Sequence, residues 1–466
     1  MALDSNENSE KFVAKFEEML KTNDVYFFDS EDFEHIIHHY LDIGKVSLGK
    51  KAIEIALQQH PGSAELRLLN VEVLVFEDKF QPAEKILNEL QELDPHNEEI
   101  YIQRANILSK QDNHLEAVNM LLEALHITDD CYDIYSLLGM EYLFMDNYEM
   151  AKKSFIKCIE YDNTDYSALY NVVYCFEFLS DFDGAIHFLN EYLERNPYCE
   201  VAWHQLGKMY IEKELLPEAL AAFDFAIIAD DAFIGAYFEK GKVLEKLGKL
   251  NEAIINYEHT LKIDDPTSHA YLRIGKCHEK LGNDELAKYY FYNTVHEDPL
   301  LDKGWLAITE FYYRQKNFKK ALHYANKATN IDSDNPLYWK KTAKIYLKLE
   351  NYEEADFAFR QAVNLGNYEL DTWQEWSFVL CKLKDFGAAE QVLLQGLEFY
   401  EEDAELLFIY SGVNLKLNNI NEAKEKIAKA RQLNPKKAVI FMKLFSEFSK
   451  LDWVKTAVKP NKKAST

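Results

Sequence analysis

The sequence predicts an all-α chain in which one helical hairpin is repeated twelve times. Three observations predict it. First, a 34-residue step taken from Glu200 runs in both directions without an insertion or deletion. Repeats begin at Ser30, Ala64, Glu98, Tyr132, Tyr166, Glu200, Ile234, Ser268, Asp302, Pro336, Leu370 and Ala404, and the twelfth ends at Lys437. Second, position 20 of the repeat is Gly49 once and then alanine every time, from Ala83 to Ala423. Third, the prolines keep the register. Pro61, Pro95, Pro197, Pro299 and Pro435 fall at position 32, between repeats, while Pro82, Pro217 and Pro336 fall at or near the first turn of a predicted helix. A missing N–H costs nothing there.

The stretch Glu200–Phe233 shows how each hairpin is written. Trp203, Leu206, Gly207 and Tyr210, at positions 4, 7, 8 and 11, mark a first helix; Ala219, Phe223 and Ala226, at positions 20, 24 and 27, mark a second. Antiparallel helices approach closely only where a side chain is nearly absent. Position 8 is Gly, Ala, Ser or Thr except at Ile37, Val71 and Val173, and it is expected to face the alanine at position 20. Large residues fill the layer around this contact. They are Trp203, Trp305, Trp339 and Trp373 at position 4, Tyr142, Tyr210, Tyr312 and Tyr346 at position 11, and Phe155, Phe223, Phe291 and Phe359 at position 24.

On these residues the chain resembles the tetratricopeptide repeat (TPR) family, over nearly nine-tenths of its length. The resemblance implies a right-handed TPR solenoid, a superhelix of about 12 helix-turn-helix repeats. In that family the first helix of each repeat lines a concave surface that binds proteins or peptides.

The ends are read separately. Residues 1–29 are expected to form a polar, unstructured tail (1–7) and a capping helix in which Phe12, Val13, Phe16, Met19 and Leu20 share one face. Asp29 or Ser30 then caps the first repeat helix. Residues 438–454, with Val439, Ile440, Leu444, Phe445 and Phe448, are expected to form a C-terminal capping helix, as a repeat array requires. Residues 455–466 carry Lys455, Lys459, Lys462 and Lys463 and read as a basic, disordered tail. No Gly/Ser-rich or low-complexity block divides residues 30–437, so no internal boundary is expected.

Composition narrows the function. The formal charge is −27, which disfavours nucleic acid and anionic lipid as partners. No apolar run is long enough to span a membrane, and the first residues do not read as a secretory signal. Cys131, Cys158, Cys175, Cys199, Cys277 and Cys381 form no CxxC and read as reduced packing residues, which points to the cytoplasm. His35 and His39 stand four apart on one helical face, but no further ligand accompanies them, and no metal or cofactor is expected. There is no GxxxxGK[ST], GxSxG or GxGxxG, so no enzymatic activity is expected.

The candidate site is the groove that the resemblance implies. Family groove positions 2, 5, 9, 12 and 13 fall here on Met140, Phe144, Tyr170, Tyr174 and Phe178, an aromatic stripe, and then on a row of cations. Lys208, Lys242, Lys276 and Lys344 occupy position 9; Lys246, Lys280, Arg314, Lys348, Lys382 and Lys416 occupy position 13. The pattern predicts a scaffold or adaptor whose peptide or protein partner presents apolar and acidic side chains. The co-chaperone mode, with Lys at position 5 and Asn at position 9, is not present: Asn106 is the one Asn at position 9, and its position-5 partner is Ile102. Two other readings remain: a self-associating assembly element, and a regulatory subunit of an enzyme or of an envelope-assembly complex. The residues do not fix the oligomeric state.

Overall fold

The computed structural model describes residues 2–22, 25–263 and 267–458. Among these residues the regular structure is entirely helical. The chain divides into two compact units, Met1–Asp231 and Ala232–Thr466. No change of composition announces this division, which the sequence reading did not anticipate.

The first unit begins with α1 (Ala2–Thr22). Five full repeats and most of a sixth follow, as the pairs α2 (Ser30–Asp42) and α3 (Val46–Gln59), α4 (Ala64–Phe76) and α5 (Phe80–Leu93), and α6 (Glu98–Lys110) and α7 (His114–Leu125). The unit continues through α8 (Tyr132–Phe144) and α9 (Tyr148–Tyr161), α10 (Tyr166–Phe178) and α11 (Phe182–Arg195), and α12 (Glu200–Glu212) and α13 (Leu216–Ala229). The second unit holds α14 (Ile234–Lys246) and α15 (Leu250–Ile263), α16 (Ser268–Lys280) and α17 (Asp284–Glu297), and α18 (Asp302–Arg314) and α19 (Phe318–Ile331). Then come α20 (Pro336–Lys348) and α21 (Tyr352–Asn364), α22 (Leu370–Leu383) and α23 (Phe386–Phe399), and α24 (Ala404–Lys416) and α25 (Ile420–Leu433). Every first helix starts at position 1 of the 34-residue step.

Packing inside a hairpin follows from the small residues. All eleven alanines at position 20 are fully buried. The contact at position 8 differs from the expectation. A Cβ added at Gly139, Gly207 or Gly241 would stand 2.5 Å from the ring at position 24 of the same repeat, Phe155, Phe223 or Tyr257. The glycine makes room for that ring, more than for the alanine opposite. Between repeats, Trp203, Trp305 and Trp339 donate Nε1–H to the carbonyls of Pro197, Pro299 and Ser333 at 2.9, 2.8 and 2.7 Å. The position-4 indole thereby fastens each of these repeats to the turn before it.

The turn inside each hairpin is uniform. Position 15 has positive φ in every repeat: glycine at Gly44, Gly248 and Gly282, and elsewhere Asp78, Asp112, Asp146, Ser180, Glu214, Lys316, Glu350, Lys384 and Asn418. The next residue closes a bond to the carbonyl five residues back, as from Leu215 N to Tyr210 O at 2.8 Å. This is the six-to-one bond of a Schellman ending.

Both ends depart from the reading of the sequence. The helix α1 already starts at Ala2, because residues 2–7 contain no glycine or proline to stop it. At the other end the expected single helix is broken. A 3-10 turn (Pro435–Lys437) leads into α26 (Ala438–Leu444), a second 3-10 turn (Ser446–Lys450) and α27 (Asp452–Val458). The break lies at Phe445, whose backbone turns so that its ring reaches Gly412. Val439, expected on the buried face, is 73% exposed, while Phe441 is fully buried. Lys455 belongs to α27; Lys459, Lys462 and Lys463 lie outside the described residues. The six cysteines are free and buried. No helix among the described residues is long and apolar enough to cross a membrane, and no three of their His, Cys, Asp or Glu side chains gather into a metal-binding group.

Candidate binding groove

The aromatic stripe lies wholly in the first unit. Tyr170, Tyr174 and Phe178 follow at four-residue intervals on α10, so one helical face carries all three. They are 44%, 42% and 55% exposed. The Tyr174 and Phe178 rings meet at 4.6 Å. Tyr148, the first residue of α9, stacks on Phe178 at 4.7 Å and stands edge-on to Tyr174 at 6.4 Å. Its hydroxyl donates to Asp146 at 2.9 Å, and that bond raises the phenol's pKa. Phe144 repeats the arrangement one hairpin earlier, stacked at 5.1 Å on His114, the first residue of α7. His114 is held by the buried carboxylate of Glu141, 2.9 Å from its Nδ1.

A cavity of about 540 Å³ opens against this stripe. Its walls bring together five of the residues singled out in the sequence: Met140, Phe144, Tyr170, Tyr174 and Lys208. Phe178 flanks it through Tyr174 and Tyr148. The sequence reading missed Tyr148, Asn171, Glu177 and Gln205, which also line it. The missing signal was spacing: position 17 of one repeat meets position 13 of the next, thirty residues later, so Tyr148 meets Phe178 and His114 meets Phe144.

The cations are not a free positive row. Lys208 Nζ stands 3.2 Å from Gln205 Oε1 and 3.5 Å from Glu177 Oε1. In the second unit, Lys242 pairs with Glu239 at 2.7 Å, and Arg314 pairs with Glu279 at 2.9 Å and Asp284 at 3.3 Å. Lys344 pairs with Asp371 at 2.5 Å and lies 3.7 Å from Glu375. Lys276 has no ion pair among the described residues, and burial, helped by the Arg273 guanidinium, holds its pKa below the ordinary lysine range. The register explains the pairing of Lys208 and Arg314. Position 12 of one repeat, Glu177 or Glu279, faces position 9 or 13 of the next.

These features define a class: stacked helical hairpins that present an aromatic-lined hollow on their first helices. Family models agree. Two models described as tetratricopeptide repeat match, one over residues 132–165, 234–266 and 342–365, the other over residues 269–300. The chain thus carries tetratricopeptide repeats at these residues. It is similar to anaphase-promoting complex subunit 3 of Schizosaccharomyces pombe (strain 972 / ATCC 24843), 28% identical over 166 residues. That match covers 36% of this chain and spans only 25% of the relative's length. Among solved structures, one similar chain belongs to the APC/C hetero-tetramer Cut9-Hcn1, with a TM-score of 0.41 and 15% identity over 88% of this chain and 94% of that one. Another is the C-terminal part of a TPR repeat-containing protein from Cytophaga hutchinsonii, with a TM-score of 0.44 and 15% identity over 55% of this chain and 100% of that one.

Proposed function

We propose that the protein is a non-catalytic interaction scaffold whose first unit binds a partner peptide in the hollow between α8, α10 and α12. The observation that carries this reading is the exposed, mutually stacked set Tyr148, Tyr174 and Phe178 beside the cavity. Large aromatic rings left half in water are a cost that a contact surface removes, and rings of this kind dominate the energetics of interfaces. They are held by packed helices, so little conformational entropy is lost when a partner docks.

The occupant is an extended or helical peptide that places an apolar or aromatic side chain against Tyr170 and Tyr174. Acidic side chains reach Lys208 only by displacing Glu177. The rim carries Asp146 and Glu177 against the single ammonium of Lys208, so apolar contact contributes more than charge. Membership in a multi-subunit assembly, which the name of the yeast relative states for that protein, fits the same reading.

The test compares capture by the full-length wild type, a Tyr174→Ala/Phe178→Ala variant and a Phe225→Ala control. Phe225 is exposed on the second helix of its repeat and stacks on Trp203, and neither residue lines the cavity. A partner retained by the wild type and the control and lost by the groove variant supports the proposal. A partner retained by all three overturns it.

A further inference from the structure

Gly412 is out of character for its place in the repeat. It stands at position 9, where other repeats carry Met140, Tyr174 or Phe378. The space that its missing side chain leaves is filled by the ring of Phe445, which is 1% exposed. The residues around it belong to one recognition pattern. α26 packs on α24 and reaches α22, the first helices of the last two repeats. Glu447 lies 2.5 Å from Lys416 Nζ, and the same ammonium sits over the Phe448 ring at 5.3 Å. Lys443 sits over the ring of Phe378 at 4.7 Å. The C-terminal segment thus covers family groove positions of its own second unit.

We propose that this first-helix face is a second peptide-binding surface, that residues 441–448 are its resident occupant, and that it accepts in their place a partner peptide carrying Phe-x-acid-Phe. The pattern is that of Phe445, Ser446, Glu447 and Phe448: a ring for the Gly412 seat, a carboxylate for Lys416, and a second ring beneath the same ammonium. Two features make the resident exchangeable. Its elements are short, a seven-residue helix and a five-residue 3-10 turn. Its outer side is uncovered, with Val439, Met442 and Leu451 exposed. A cavity of about 450 Å³, walled by Tyr352, Glu375, Phe378, Ile440 and Lys443 among others, opens alongside and gives an incoming peptide its first foothold.

The tethered segment competes at high effective concentration, so a free peptide binds the wild type weakly. A labelled peptide with the sequence of residues 438–458 is titrated into full-length protein. Binding to Phe445→Ala is expected to be at least about 10-fold tighter than to the wild type, because the resident ligand has lost its anchor. Lys416→Glu in that background weakens binding, and a peptide bearing Glu447→Lys restores it. Failure of the peptide to bind folded Phe445→Ala, or of the charge exchange to rescue, overturns the proposal. Hydrogen exchange on the wild type gives an independent reading should Phe445→Ala unfold. Amides of 438–450 are expected to exchange about 100-fold faster than those of α24. Equal protection makes the segment a permanent cap and overturns the proposal. A concentration-dependent mass increase of the wild type that Phe445→Ala abolishes makes the occupant a second copy of the chain and also overturns it.

Discussion

The ring of Phe223 lies directly on Gly207, so that a Cβ at 207 would stand 2.5 Å from the ring edge. Phe223 is fully buried and cannot retreat without moving its neighbours. Gly207→Ala is therefore expected to lower stability by roughly 1–3 kcal/mol, the usual range for overpacking. Phe223→Leu in the same chain should recover part of the loss. Because each repeat contacts chiefly its neighbours, hydrogen exchange in α12 and α13 is the measurement that localises the effect. Unchanged protection there would show that the hairpin has room to spare.

The contrast between this contact and the binding surface shows what the sequence discloses. Gly207, Ala219 and Phe223 lie in one hairpin at spacings the chain repeats twelve times, so helix starts and the buried layer are legible by counting. The αL turn at position 15 was not legible, since Asp146, Ser180, Glu214 and Lys384 carry a conformation that glycine usually advertises. Nor was the pairing of Lys208 with Glu177, or the stack of Tyr148 on Phe178, because both join residues of different repeats. The broken C-terminal helix was hidden for a similar reason. Val439, Ile440 and Leu444 follow helical spacing, but the recess at Gly412 decides which side chains turn inward.

Glu214 has φ near 58°, in the left-handed region where a side chain clashes with its own backbone. That conformation costs an L-residue roughly 1–2 kcal/mol, and glycine returns part of the gain through the entropy of its unfolded chain. Glu214→Gly is thus expected to stabilise the first unit by about 0.5–1 kcal/mol. Thermal denaturation monitored by circular dichroism checks the sign; a lower midpoint would contradict it.

Trp373 and Trp203 occupy the same repeat position with different surroundings. Trp373 is 1% exposed and lies between the Tyr368, Trp376 and Phe399 rings. Trp203 is half-buried and rests on Phe225. Trp373→Ala should cost about 3–5 kcal/mol, the range for a large ring removed from a core. Trp203→Ala should cost distinctly less, since its cavity opens to solvent. Equal losses in denaturant melts would show that the indole hydrogen bond, which both make, outweighs burial.

Glu375 adds a pH dependence with a definite sign. Burial raises its pKa above the ordinary 4.5, and the nearby Lys344 ammonium only partly offsets this. The folded state therefore holds this proton more tightly than the unfolded chain does. Its contribution to stability is fully present below the unfolded value and is lost as pH rises through the higher folded value. Glu375→Gln removes the charged form and with it that slope. Relative to the wild type, the variant should gain stability as pH is raised from about 4 to about 7. Parallel melting curves of the two proteins across that range would disprove the assignment.

Tyr148 is the sharpest test of the groove, because no family position points to it. It stacks on Phe178, borders Tyr174 and lines the cavity, and its hydroxyl bonds to the exposed turn residue Asp146. Tyr148 is half-buried against the edge of the hairpin core, so Tyr148→Ala should lower stability by about 1 kcal/mol, the typical cost of a point substitution. Partner binding should fall far more. Loss of one stacked aromatic pair is worth about 0.5–1.5 kcal/mol, and loss of an interface anchor about 2 kcal/mol or more. Titration calorimetry with the captured partner separates the two effects. An affinity weakened by more than the melt accounts for places Tyr148 in the binding surface. An unchanged affinity would mean that the stack only props Phe178, and that the partner docks on Tyr170 and Met140 further along the same face.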